Sequence, residues 1–343
     1  MSAPSRRQAA LVALAAVALS GLAACSSADA VDVGDVEAYT SGTPAGTEVS
    51  VVVPVGTLEV VVTEPAEEIG ELRAPDGGSL VRVATRFRDG LGRADVWDLA
   101  GRAGAARAVE LALGAGDRDY GLGVVRDGDG TDAGGSVRAP EDLVVAVDGT
   151  PEELADGLTL EVGYDGLTQT VSVPGGERTA GPADALYEDT PDPSSLPTQD
   201  CEPRLRPAGA TVAGLRCEVG AVRALPYVPD LGWAAEGTAW LVVGAGFELP
   251  GAEVDGATYA VASVDLAVEA DGQAPDLVLD AAERGGRVSG QHVFAVPADS
   301  PSARISMRAR GELRLQQGAG APAARQLVAT ASTTVEVPDT AAQ

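Results

Sequence analysis

The chain contains no lysine and no asparagine; its 24 basic residues are all arginine, set against 51 acids, for a formal net charge of −27. Both missing residues have AT-rich codons, so their absence points to a GC-rich genome rather than to chemistry. So few cations against so many acids argue against nucleic acid as a partner and against electrostatic docking on anionic lipid, because both need clustered positive charge over phosphate. Histidine is present once, as His292. A lone histidine cannot build a multi-histidine metal site, and no Gly-x-Ser-x-Gly elbow offers it a nucleophile. His292 lies in Gln291-His292-Val293-Phe294-Ala295-Val296, which reads as a strand, and is expected to be structural or at the surface. Aromatics make up 3% of the residues, too few to furnish the sugar platforms of a glycosidase cleft. The acidic pairs Glu67-Glu68 and Glu152-Glu153 are therefore not expected to catalyse: adjacent acids on a helix do not face each other, and acids on loops are solvated. No cofactor and no metal is expected.

Cysteine is scarce as well, with three residues. The first closes an N-terminal pattern. Arg6 and Arg7 precede a charge-free stretch from Ala9 to Leu19, and small residues then lead into Leu22-Ala23-Ala24-Cys25. At about 11 residues the apolar part is too short to span a bilayer and has the layout of an export signal. Its end resembles the bacterial lipobox. The resemblance implies that 1–24 is a lipoprotein signal peptide and that Cys25 receives a diacylglycerol with fatty acyl chains such as palmitate. The protein would then be held at the outer face of the cytoplasmic membrane. Two acyl chains are enough for stable anchoring. Ser5-Arg6-Arg7-Gln8-Ala9-Ala10-Leu11 also resembles a twin-arginine export motif, with Ala9 where a large apolar residue is usual, so both export routes stay open. A chain beginning at Cys25 carries 22 arginines against 51 acids, a net −29. The polar stretch 25–46 is expected to be a lipidated flexible tether. Cys201 and Cys217 remain, and outside the cytoplasm a disulfide between them can persist. Closing so short a loop stabilises by roughly 3 kcal/mol in the chain-entropy picture.

The stretch 175–200 contains Pro182, Pro191, Pro193 and Pro197 with several acids and reads as a Pro/acid-rich linker. It divides a first domain, 47–174, from a second, 201–338, each about 130 residues long, an ordinary domain size; 339–343 is a C-terminal tail. The halves resemble each other. Ala74 to Phe87 aligns without gaps on Ala234 to Phe247, and Ala146-Val147 before Thr150-Pro151 matches Ala295-Val296 before Ser300-Pro301. Two matches in the same order indicate duplication.

Period-two patterning dominates. Val81, Val83, Thr85 and Phe87 alternate with Arg82, Ala84 and Arg86, and Leu158, Leu160, Val162 and Tyr164 alternate with Thr159, Glu161 and Gly163. The longest case is Ile305, Met307, Ala309, Gly311, Leu313 and Leu315 against Arg304, Ser306, Arg308, Arg310, Glu312 and Arg314. Successive strand side chains point to opposite faces, so each pattern predicts one buried and one wet face. A Gly/Ala/Pro-rich turn and a further alternating run, Leu327 to Val337, predict a hairpin. Thr150-Pro151-Glu152-Glu153 has capping-box form and predicts one short helical turn. Arg102 to Leu113 reads equally as helix or strand. The expected fold is all-β, two tandem antiparallel sandwiches. The layout of each half is an apolar strand ending in phenylalanine, an apolar-Ala-Val strand, a Thr/Ser-Pro corner and a long alternating strand. It resembles the immunoglobulin-like domains of uncharacterised surface lipoproteins from high-GC bacteria, although the antibody Cys–Trp–Cys order is absent. The resemblance implies non-catalytic interaction modules.

Three features are candidate sites. The stripe Arg304, Arg308, Arg310 and Arg314 puts four guanidinium groups on one strand face; it could bind an acidic partner or a wall phosphate, or pair with acids on neighbouring strands. Asp127, Asp129 and Asp132 sit in a glycine-rich loop able to converge on calcium. However, Asp132 stands where the helical calcium loop needs glycine and Arg138 where it needs glutamate, so a solvated Asp-Gly turn is the expectation. Trp233 and Trp240, with Tyr227 and Pro229, form either a recognition patch or core. The expected function is a lipid-anchored, extracytoplasmic, non-enzymatic binding or scaffolding module. Its partners would be the membrane through Cys25 and an envelope protein or cell-wall polymer. The alternatives are a solute-binding lipoprotein of a transporter, which needs βαβ repeats, and an envelope hydrolase, which needs a nucleophile–base pair.

Overall fold

The structure is a computed structural model that describes residues 29–89, 108–126, 142–187, 197–318 and 320–338. Strand accounts for 64% of the described residues and helix for 4%, which places the structure in the all-β class. The first half contributes β1 (Asp29–Ala30), β2 (Val36–Ala38), β3 (Thr47–Val53), β4 (Gly56–Val62), β5 (Glu68–Ile69), β6 (Leu72–Arg73) and β7 (Gly78–Asp89). It continues with β8 (Val109–Ala115), β9 (Arg118–Arg126), β10 (Leu143–Asp148), β11 (Leu158–Tyr164), β12 (Leu167–Ser172) and β13 (Arg178–Thr179). One sheet runs β2-β10-β7-β4-β3 and the other β13-β12-β11-β8-β9. The alternation explains the packing: Leu58, Val60, Val81 and Val83 of one sheet meet Leu113, Leu160 and Val162 of the other in a shared core. Arg102 to Leu113 resolves in its described part as strand β8; 102–107 lie outside the described residues. The expected helical turn is α1 (Pro151–Leu154), with its capping box between Thr150 and Glu153 in place.

The second half contributes β14 (Thr198–Asp200), β15 (Arg204–Arg206), β16 (Arg216–Leu225), β17 (Tyr227–Val228), β18 (Gly232–Trp233) and β19 (Thr238–Glu248). Then follow β20 (Gly251–Val254), β21 (Ala257–Ala270), β22 (Leu277–Arg284), β23 (Arg287–Pro297), β24 (Ser302–Gln317) and β25 (Ala324–Glu336). Its sheets run β14-β16-β19-β23-β22 and β15-β25-β24-β21-β20, enclosing a core with Leu241, Phe247 and Phe294 on one side and Tyr259, Ile305, Leu313 and Ala329 on the other. The repeated sequence occupies equivalent places. Both gapless segments begin at a small hairpin and run into the central strand, β7 or β19. Ala146 pairs with Leu80, and Ala295 pairs with Trp240, the residue that matches Leu80. The halves share the orders β4-β7-β10 with β16-β19-β23 and β12-β11-β8 with β25-β24-β21, and differ at three edges. β9 follows its partner β8 in the chain whereas β20 precedes β21, β2 opens its half whereas β22 directly precedes its partner β23, and β13 closes its half whereas β15 lies near the start of its own.

Segments expected to be loose are partly paired. Within 25–46, β1 pairs with β6 and β2 with β10, and Tyr39 and Val31 pack on Leu80, Val144 and Ala146. Within 175–200, β13 pairs with β12 and β14 with β16, while the 3-10 turn Gly181–Tyr187 buries Ala183 and Leu186. Sheet edges offer backbone donors and acceptors whatever the side chains, so edge pairing leaves little periodic trace in sequence. Arg82 shows the consequence. Its alternation put it on a wet face, yet it is only 7% exposed. Its Nη2 donates to the Gly42 carbonyl at 2.6 Å and to Asp142 Oδ2 at 2.5 Å, and the guanidinium lies 4.7 Å from the Tyr39 ring.

The halves touch through aromatic side chains. Tyr164 of β11 packs edge-on against Tyr227 and Trp233, with centroids 5.5 and 6.4 Å away. The Trp233 Nε1–H donates to the Tyr164 carbonyl at 3.0 Å, and the Tyr227 hydroxyl donates to Asp165 Oδ2 at 2.9 Å. Burial pushes the Tyr227 phenol far above its ordinary pKa. Beside them, Ala183 and Leu186 pack with Leu225, Val242 and Val293 of the second half. The Trp233–Tyr227 pair is thus turned toward the first half rather than presented as a free recognition patch. Trp240, which matches Leu80, donates through Nε1 to the Gly232 carbonyl at 3.0 Å.

Candidate functional site

A groove of about 1000 Å³ lies on the outer face of the β15-β25-β24-β21-β20 sheet of the second half. It is built by the alternation of β24. Ile305, Met307, Ala309 and Leu313 are buried in the core, so Arg304, Ser306, Arg308 and Arg310 stand on the opposite face. Register then brings three other strands to them. On β21, Asp265 pairs with Arg310, Ala267 with Arg308 and Glu269 with Ser306. On the other flank, Thr330 of β25 pairs with Arg308, and Ser332 with Ser306. Beyond β25, Arg204 of β15 pairs with Thr330. The face is banded: carboxylates over β21, guanidinium groups over β24, hydroxyls over β25, and a further guanidinium at the β15 edge, with Glu202 on the same lining.

Three of the four expected arginines, Arg304, Arg308 and Arg310, meet in this groove. Arg314 does not; it lies farther along β24, opposite Ala260 and Ala324. Sequence reading missed Arg204, which reaches the site only through the pairing of β15 with β25. The one local signal was the Arg204-Leu205-Arg206 alternation, which places both arginines on one face. Nor do the arginines pair with the acids beside them. Although Asp265 is directly across from Arg310, no ion pair joins Arg204, Arg308 or Arg310 to Asp265, Glu269 or Glu202 among the described residues. Arg304 is held differently: its Nε donates to Ser332 Oγ at 2.9 Å, and its backbone N–H donates to Asp271 Oδ1 at 3.1 Å. Elsewhere on the same half, Arg325 and Arg287 do find carboxylates, Asp255 at 2.8 Å and Glu218 at 3.4 Å.

The other singled-out residues are placed as follows. Cys201 and Cys217 stand in disulfide geometry with Cα atoms 5.2 Å apart, tying the start of the half to β16. His292 is on β23, facing inward, opposite Val243 and Val278. It is 4% exposed, and neither ring nitrogen has a hydrogen-bond partner among the described residues. Burial lowers its pKa to about 4. Of the acidic pairs, Glu153 accepts from the Thr150 N–H at 2.9 Å, which holds its carboxyl below the usual range, and Glu68 pairs with Arg73. Cys25 and the loop Asp127 to Asp132 lie outside the described residues. Among the described residues no group of three or more metal-ligating side chains occurs, and no helix is long and apolar enough to cross a membrane.

No protein-family model matches the chain, and no curated protein sequence matches it.

Proposed function

We propose that the protein is a lipid-anchored binding or scaffolding module of the bacterial envelope, built from two tandem immunoglobulin-like sandwiches and non-enzymatic. Cys25 carries the lipid, and the groove of Arg204, Arg304, Arg308 and Arg310 holds an anionic group of an envelope protein or cell-wall polymer. One observation carries the binding site: in a chain of net charge −27, arginines are gathered in one groove without carboxylate partners among the described residues. Guanidinium groups left unpaired are the donors best suited to bidentate recognition of carboxylate or phosphate. The all-β architecture supports the module reading over a solute-binding lipoprotein, whose βαβ repeats need amphipathic helices; among the described residues the only α-helix is the single turn α1.

Capture of envelope components by the purified mature chain tests this. Replacing Arg308 and Arg310 together by alanine is expected to weaken capture about tenfold or more, and more at low salt, where screening is weak. Capture undiminished after Arg204, Arg304, Arg308 and Arg310 are all replaced would contradict it.

A further inference from the structure

The groove holds two sets of charges that do not satisfy each other, and this asymmetry bears on its ligand. Arg308 is bordered in register by neutral residues, Ala267 on one side and Thr330 on the other. Beyond Thr330 stands Arg204, so two guanidinium groups flank a hydroxyl across two strand spacings, roughly 10 Å. Donors converging from two sides and from the floor suit a tetrahedral oxyanion with oxygens in several directions. A planar carboxylate presents both oxygens in one plane and is matched by one guanidinium fork. On the opposite flank, Asp265 and Glu269 are the diagonal neighbours of Arg308 on β21 and have no cation of their own among the described residues. A ligand carrying only negative charge would sit against those carboxylates unrelieved.

The whole molecule sets the same requirement. Residues 29–187 carry 30 acids against 11 arginines, a net −19, and residues 197–338 carry 17 against 11, a net −6. This field opposes each negative charge on a ligand and favours each positive one, so a phosphate that carries an ammonium is opposed less than the same phosphate alone. Resting on the reading of this groove as the binding site, we infer that its ligand is zwitterionic, a phosphate joined to a primary amine. The phosphate lies over Thr330 between Arg308 and Arg204, and the ammonium lies over β21 against Asp265 and Glu269. The separation is between one and two strand spacings, about 5–10 Å. Phosphoethanolamine-type headgroups and amine-substituted phosphodiester polymers share this chemistry.

Isothermal titration of the mature chain with phosphorylethanolamine, inorganic phosphate and ethanolamine tests the inference. Phosphorylethanolamine is expected to bind about tenfold tighter than inorganic phosphate, one decade corresponding to one added charge contact. Changing Asp265→Asn and Glu269→Gln together should remove that preference and leave phosphate binding intact, while Arg204→Gln with Arg308→Gln should abolish both. Retention on vesicles containing phosphatidylethanolamine, against vesicles of phosphatidylcholine alone, tells a lipid headgroup from a soluble or wall-borne source. Equal affinity for phosphate and phosphorylethanolamine would overturn the zwitterion inference and leave an anion groove standing. So would binding of a short acidic peptide with no binding of either phosphate. Binding of no anion at all would overturn both the inference and the reading beneath it.

Discussion

His292 pairs across the sheet with Val243 and Val278 and has no polar partner for either nitrogen among the described residues. The energetic consequence is a pH dependence. Its folded pKa, about 4, lies below its unfolded value of 6.5, so between these values the unfolded chain binds more protons than the folded one. Stability contributed by neutral His292 is therefore fully present above pH 6.5 and is lost as pH falls toward 4. A lowering of this size corresponds to about 1–3 kcal/mol. Melting curves at pH 7.5 and 4.5 should show a smaller acid loss in His292→Val than in the parent chain. Identical acid losses would place the imidazole in contact with solvent. Arg82 makes the complementary point: a buried charge is tolerated where a carboxylate and a carbonyl meet it, as Asp142 and Gly42 do, in keeping with the cost of leaving one unpaired.

At the scale of elements, β24 shows what was legible and why. Thirteen residues of alternation, 302–314, give a burial pattern that keeps Ile305, Met307, Ala309 and Leu313 inside and Arg304, Arg308, Arg310 and Arg314 outside. That pattern was readable because a strand with one wet face must repeat every two residues. Leu313→Ala should cost about 2–5 kcal/mol through lost burial and the cavity left behind. Arg308→Ala should leave the melting temperature near that of the parent. A large loss from Arg308→Ala and none from Leu313→Ala would mean that the two faces are exchanged. β15 was not legible: three residues are too few for a period, and their significance arises only from pairing with β25, Arg204 opposite Thr330. The carboxylate row of β21 was hidden for the same reason. Asp265 and Glu269 become groove residues through register with β24, which no local pattern encodes. The edge strands β2, β13 and β14 were equally silent, since two or three residues are too few for a period and their pairing runs through backbone groups that any side chain carries.

Over the whole molecule, the two halves share the order of their central strands, β4-β7-β10 with β16-β19-β23 and β12-β11-β8 with β25-β24-β21. Each half encloses its own core, and the aromatic contact of Tyr164 with Tyr227 and Trp233 couples them. Among the described residues, Arg204, Arg308 and Arg310 of the second half line one concavity without a carboxylate partner. Their identity also offers a direct readout, because the chain has no lysine and all 24 basic residues are arginine. An arginine-directed dicarbonyl reagent, read by mass spectrometry, reports on the chain's whole basic side-chain complement apart from His292, with and without bound envelope ligand. The central claim is that the groove between β15 and β21 is where this protein binds. On that claim Arg204, Arg304, Arg308 and Arg310 lose reactivity together when ligand is added, while Arg284 and Arg314, exposed on the same half, keep theirs. Unchanged reactivity at the four groove arginines with ligand demonstrably bound would contradict it.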